Sequence, residues 1–258
     1  MTPTQSTTST DGVKIAYDVQ GEGPKTVVFV HGWTCNRSHW QGQMRTFSPR
    51  YRTIAIDLGG HGESGSDRLE WTMPAFARDV AAVLDQEQVD RAVVVGHSMG
   101  GIVMLHVAQQ LGGRVAGLVG ADTLKIPGEK RREGFIKLIR DMEDDYEATA
   151  QAIVSTVFTS DTPESLRKII TKGMLATPAP VRIGAIKGGI TDVPSLELAA
   201  GLDVPIVVIN ARGSAVDTDA VGEAGIEIRF VKTTGHFVMI EDPKTFNRLL
   251  GEALENMF

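Results

Sequence analysis

The chain has 258 residues, 42% of them hydrophobic, a formal net charge of −6 and a single cysteine. This length and apolar content suit one large α/β domain, or one domain with an insertion, whose core needs no disulfide or metal. The acidic balance and the lack of a basic run argue against nucleic acid or an anionic membrane as partner. No apolar run approaches the ~20 residues of a membrane span. Residues 1–11 are polar and do not read as a signal peptide, and the lone Cys35 fits a reducing cytoplasm. Nothing in the composition bears on oligomeric state.

Val13 to Val19 reads as an opening strand that ends at the turn Gly21-Glu22-Gly23-Pro24. Thr26 to Val30 is a continuous apolar run, as a strand buried on both faces requires, and it runs into His31-Gly32-Trp33. Ile54 to Ile56 is a second such strand, followed by Asp57 to Ser64. Residues 73–86 have helical spacing, with Phe76, Val80 and Leu84 on one face. Residues 92–95 form a short buried strand that leads into Gly96-His97-Ser98-Met99-Gly100, and Ile102 to Ala108 is a helical run. Val115 to Gly120 is the next strand, running into Ala121-Asp122-Thr123.

Residues 127–200 break the alternation, with helical patterns and no strand between them. Phe135, Leu138, Ile139, Met142 and Tyr146 make one apolar stripe, and Glu129 to Glu133 with Asp141 to Asp145 make its solvated face. Segments 147–158, 163–175 and 178–190 read as further helices. Some seventy residues are too many for one crossover, so 127–200 reads as a helical lid inserted into a core of 1–126 and 201–258. Strands return at Ile206 to Ile209 and Ile226 to Val231. Asp242-Pro243 then opens a last helix containing Phe246, Leu249, Leu250 and Leu254. Alternating strands and helices imply a mostly parallel, doubly wound sheet with helices on both faces. Ligands of such sheets sit beyond the carboxyl ends of the strands.

Ser98 lies where strand, tight turn and helix meet, in the pattern G-x-S-x-G. A strained turn of this kind exposes the hydroxyl and packs so closely that the positions two before and two after need glycine. The helix that starts there aims free N–H groups at the serine, which suits a developing oxyanion.

With His31-Gly32-Trp33, Asp57 to Ser64, Gly96 to Gly100 and Gly235-His236-Phe237 in that order, the chain resembles the α/β-hydrolases from about residue 12 onward. The resemblance implies an α/β-hydrolase fold with a lid, and the chain order serine, acid, histidine. A serine hydroxyl needs a base, and only His106 and His236 follow Ser98. His106 lies within the helix after the turn. His236 lies on a loop, Thr233 to Phe237, that can reach the sheet's carboxyl edge, and so it is the expected base. The resemblance makes the backbone N–H groups of Met99 and Trp33 the oxyanion hole, with both side chains lining the acyl pocket. Asp57 and His61 to Ser64 resemble a structural turn, and His97 lies beside the nucleophile.

The acid has two candidates. Its usual place in the family follows the strand Ile206 to Ile209, where this chain has Ser214, with Asp217 three residues late. Some members carry the acid after the preceding strand, where this chain has Asp122, and Asp122 is the expected acid. Cys35 lies near the oxyanion loop and reads as a small packed residue. No metal-ligand spacing or dinucleotide fingerprint is present, so no cofactor is implied.

The resulting expectation is a serine esterase that cleaves a carboxylic ester or lactone of a small, largely apolar molecule through Ser98, His236 and Asp122. Two alternatives stay open. One is a cofactor-free dioxygenase of the same fold using a His/Asp pair. The other is a small-molecule receptor on the same scaffold.

Overall fold

The structure is a computed structural model that describes residues 4–125, 129–159, 162–190, 195–214, 216–232 and 235–258. Among these, the side chains of residues 129–133, 135, 150, 154–156 and 190 are not described. Two parts of the sequence reading therefore lie outside the described residues: the side chains of Phe135 and of Glu129 to Glu133 in the predicted lid helix, and Thr233-Thr234 before His236.

Eight strands form one sheet: β1 (Gln5–Thr8), β2 (Lys14–Gln20), β3 (Thr26–Val30), β4 (Arg52–Ile56), β5 (Ala92–His97), β6 (Val115–Ala121), β7 (Ile206–Ala211) and β8 (Glu227–Val231). Their spatial order is β1-β2-β4-β3-β5-β6-β7-β8. The first two pairings are antiparallel and every other one is parallel. The sheet is thus the mostly parallel, helix-flanked sheet of an α/β-hydrolase, as the alternation of elements implies.

Central strands are apolar throughout because both faces are covered. Val28, Val30, Val94, Leu118 and Val208 pack with α2 (Met73–Gln86) and α3 (Met99–Leu111). Their neighbours Val27, Phe29, Val93, Val95, Val119, Val207 and Ile209 pack on the other face, with α1 (Gln41–Phe47) and α11 (Pro243–Met257). The period of two thus distributes one run of valines between two cores. The predicted helix 73–86 is α2, started by Thr72, whose hydroxyl accepts from Ala75 N, and by Pro74 in its first turn. After the one-turn helix α10 (Val238–Glu241), the last helix, α11, is capped by Asp242 and buries Phe246, Leu249, Leu250 and Leu254.

Two elements carry no sequence signal. Strand β1 is Gln-Ser-Thr-Thr, an edge strand largely exposed and paired on one side, so it has no apolar alternation to read. Helix α1 is only seven residues long.

Between β6 and β7 lie α4 (Glu129–Asp144), α5 (Tyr146–Val157), α6 (Glu164–Ala176), α7 (Ala179–Ala185), a wide turn at Ile186–Ile190 and α8 (Ser195–Ala200). The predicted stripe does not belong to a single helix. Asp145 breaks it, and its carboxylate caps α5 by accepting from Ala148 N at 3.1 Å. Met142 of that stripe is buried, while Leu138, Ile139 and Tyr146 are half-buried. No helix among the described residues is long and apolar enough to cross a membrane.

Candidate active site

The carboxyl ends of β5, β6 and β7 and the loop after β8 meet at Ser98. Between β5 and α3 the backbone of Ser98 takes φ 52°, ψ −115°, a region that non-glycine residues avoid. Three backbone contacts hold it there. Ser98 N donates to Ala121 O at 3.1 Å, Gly101 N donates to Ser98 O at 2.9 Å, and Thr123 Oγ1 donates to the same carbonyl at 2.7 Å. Steric need explains the flanking glycines. A Cβ on Gly96 would lie 2.2 Å from Gly100 O, and one on Gly100 would lie 2.5 Å from Val30 O.

His236 stands over the serine. Its Nε2 is 2.9 Å from Ser98 Oγ and its Nδ1 is 2.6 Å from Asp122 Oδ2. The loop is fixed on two sides: His236 N donates to Val157 O at the end of α5, and His236 O lies 2.9 Å from His97 Nε2. The His97 ring also packs on His236 at a tilt of 48°, with 4.7 Å between centroids, and burial pushes its pKa well below the ordinary imidazole value. His97 therefore supports the loop as a neutral ring.

Asp122 follows β6 directly, with φ 46°. Its side chain is almost wholly buried and fully partnered. Oδ1 accepts from Ala211 N at 3.2 Å and from the Ser214 hydroxyl, and Oδ2 accepts from His236 and from Lys125 Nζ at 2.7 Å. Burial opposes ionisation, but the hydrogen bond and charge of His236 and the charge of Lys125 outweigh it and hold the carboxyl well below the usual carboxylate range. The bend after Asp122 is clamped by the buried Asn210, which accepts from Thr123 N and donates to Thr123 O, both at 3.0 Å. The loop after β7, the other place where the sequence could have carried the acid, here supplies the Ser214 hydroxyl to the Asp122 carboxylate.

The other acid candidate, Asp217, is exposed and points elsewhere. Its carboxylate caps the helix α9 (Thr218–Glu223), accepting from Asp219 N and Ala220 N at 3.1 Å. His106 is half-buried on α3 and lies 3.3 Å from Gln109 Oε1. Asp57 accepts from Arg37 N and Glu63 N and pairs with the Arg37 guanidinium, which matches its reading as a structural turn.

A cavity of about 60 Å³ adjoins Ser98, walled by Trp33, Cys35 and Phe237 from the core and by Ile153, Val157 and Met174 from α5 and α6. Trp33 thus lines it, with its indole N–H donating to Arg182 O on α7 at 2.9 Å. The side chain of Met99 is not part of its wall and is buried instead in the core cluster on the α2 side of the sheet. The backbone of Met99 still opens α3, where the N–H has no partner within the helix. Cys35 is buried, and burial pushes its thiol up to about 12, so it stays an unreactive wall residue. Among the described residues, no group of three or more His, Cys, Asp or Glu side chains could hold a metal ion.

A family model described as "Alpha/beta hydrolase family" matches residues 27–249. The chain belongs to this family. Over the first curated relatives it matches, it spans only 26% to 31% of their length. A Bacillus subtilis protein provisionally named 2-succinyl-6-hydroxy-2,4-cyclohexadiene-1-carboxylate synthase is 28% identical over 98% of this chain and 99% of its own. Among solved structures, a thermophilic esterase from Thermogutta terrifontis superposes with a TM-score of 0.85 at 22% identity, covering 99% of both chains. The enol-lactonase from Burkholderia xenovorans LB400 gives 0.86 at 21% identity, covering 97% of this chain and 100% of that one. At these identities the two structures establish the shared α/β-hydrolase fold.

Lys125 and Asn210 have no motif that would single them out in the sequence. Lys125 reaches Asp122 with its side chain from three residues along the same bend, and Asn210 reaches Thr123 because β6 and β7 pair.

Proposed function

We propose that this α/β-hydrolase cleaves a carboxylic ester or lactone through an acyl-enzyme on Ser98, with His236 as base and Asp122 as its acid. The observation that carries this reading is the hydrogen-bonded relay from Ser98 Oγ through His236 to Asp122, at 2.9 and 2.6 Å, on a strained turn. As Ser98 Oγ attacks the carbonyl carbon, its proton passes to His236 Nε2. Asp122 keeps the other nitrogen as the donor and stabilises the imidazolium. The N–H groups of Met99 and Trp33 receive the oxyanion. The tetrahedral intermediate then expels the alcohol, which takes its proton from His236. Water, deprotonated by His236, attacks the acyl carbon and returns Ser98 with release of the acid.

The mainly apolar cavity wall suits an apolar acyl or alcohol group. A volume of about 60 Å³ is well below the ~300 Å³ at which small-molecule pockets begin. We therefore read residues 127–200 as a lid seated over the site, whose α5 and α6 must shift to admit anything beyond a short acyl group. The relatives' names, an esterase and a lactonase among them, fit the same reaction class. The His/Asp dioxygenase reading is less favoured, because His236 Nε2 is engaged with Ser98 Oγ rather than free for a substrate hydroxyl.

The test is hydrolysis of short and medium p-nitrophenyl esters by the wild type beside Ser98→Ala. A fall of several orders of magnitude in the variant supports acyl transfer. Equal rates reject it, and oxygen uptake with a hydroxylated heteroaromatic substrate would then point to the dioxygenase.

A further inference from the structure

The proposed reaction makes no use of the Lys125 ammonium, yet it stands at the acid. Its Nζ lies 2.7 Å from Asp122 Oδ2, the same oxygen that accepts from His236 Nδ1 at 2.6 Å. The second oxygen of that carboxylate is already occupied by Ala211 N and the Ser214 hydroxyl. One oxygen therefore faces two nitrogen donors, one of which carries a fixed charge. The Lys125 side chain is 17% exposed and that of Asp122 is 1% exposed, so solvent screens the pair weakly.

We propose that Lys125 is a positioning residue that weakens the basicity of His236 through the oxygen they share on Asp122. The inference rests on the reading of Ser98, His236 and Asp122 as a catalytic relay. A carboxylate beside a histidine favours the imidazolium. An ammonium on the same oxygen takes part of that carboxylate's capacity and repels the cation that forms when Ser98 gives up its proton. The carboxylate then stabilises the imidazolium less than it would without the ammonium.

The other groups around His236 do not supply this effect. His97, packed against it at a tilt, and His39, against Phe237, are both buried, and burial holds both neutral. The Cys35 thiol is neutral as well. The Glu241 carboxylate, which accepts from Thr162 Oγ1 and approaches Gly235, would act in the opposite sense. Among the described residues, Lys125 is the one ion-pair partner of Asp122 besides His236.

Two variants separate charge from bulk. Lys125→Met keeps the stem and drops the charge, and Lys125→Arg keeps the charge. The readouts are the pH dependence of Ser98 labelling by a fluorophosphonate and the proton resonance of His236 Nδ1–H. In Lys125→Met the acid limb of the labelling rate should move up by about one pH unit, and the proton resonance should move downfield. Lys125→Arg should follow the wild type in both. The proposal is overturned if the Lys125→Met profile overlays the wild type, even at a lower overall rate, or moves to lower pH. Should the wild type resist labelling, the reading of Ser98 fails, and the resonance, which needs no turnover, still decides the role of Lys125. A resonance moved only in Lys125→Met upholds the shared oxygen, and one unmoved in both variants overturns it. Lys125→Gln replaces Lys125→Met if that chain does not fold.

Discussion

Replacing Asp122 by asparagine tests the acid without opening a cavity. The amide keeps the size of the side chain, and its oxygen can still accept from Ala211 N and the Ser214 hydroxyl. What it cannot do is hold His236 Nδ1 as a donor at 2.6 Å or stabilise an imidazolium. Loss of both should lower kcat by ~10³–10⁴, or about 4–5.5 kcal/mol of barrier. Stability should change far less. Lys125 loses its counterion but is partly exposed, so the cost is about 1–2 kcal/mol, a fall of roughly 3–6 °C in Tm for a chain of this size. Asp217→Ala should cost a similar, small amount of stability and none of the rate. It removes the cap of α9 at about 1 kcal/mol and leaves the rate unchanged. Ester hydrolysis should therefore separate the two variants by roughly three to four orders of magnitude, while thermal unfolding should place them close together. The reasoning is refuted if Asp122→Asn stays within tenfold of the wild-type rate while Asp217→Ala loses activity.

Three further outcomes rest on the same geometry. Ser214→Ala removes one donor to Asp122 and leaves its oxygen one bond short, so kcat should fall about tenfold and stability by about 1 kcal/mol, measured by steady-state rates and urea unfolding. Gly96→Ala forces a Cβ to within 2.2 Å of a helix carbonyl, which no rotamer relieves; urea unfolding should show a loss of about 3 kcal/mol, and a loss below about 1 would contradict the close approach. His39 is held neutral by burial at about 4, against 6.5 when unfolded, so below pH 6.5 the unfolded chain binds a proton that the folded chain refuses. Its contribution is full above pH 6.5 and is lost as pH falls toward 4. The stability curve of His39→Gln should accordingly be flatter than the wild type's by about 3 kcal/mol between pH 7 and 4, read from urea unfolding at each pH.

Much of the fold is legible in the sequence because its central strands are buried on both faces and their valine runs leave little else to be. Thr26–Val30 and residues 73–86 have the same bounds in the sequence reading and in the structure. Edges are harder: Gln5–Thr8 is exposed, and its pairing with β2 leaves no apolar pattern behind. Within the insertion, the stripe continues across Asp145, so periodicity alone joins what a capping carboxylate separates. At the site, Ser98 and His236 are legible from chain order and local context. The acid stands between two candidates because the deciding contact, 114 residues apart in sequence, depends on how β6 and β7 align. Ser214 marks the family's usual acid position without a carboxylate, and only the folded chain turns its hydroxyl toward Asp122. The side chain of Met99 is buried in the core rather than set in the cavity wall, which its place beside Ser98 in the sequence does not reveal.

The central claim is a covalent acyl group on Ser98. The most direct measurement is rapid acid quench of the protein with a slowly deacylating p-nitrophenyl ester, followed by mass analysis of the peptide containing Ser98. The expected result is a mass increase equal to the acyl group on Ser98, formed with a burst of one p-nitrophenol per chain and absent from Ser98→Ala. Steady release of p-nitrophenol with an unmodified Ser98 peptide would contradict it.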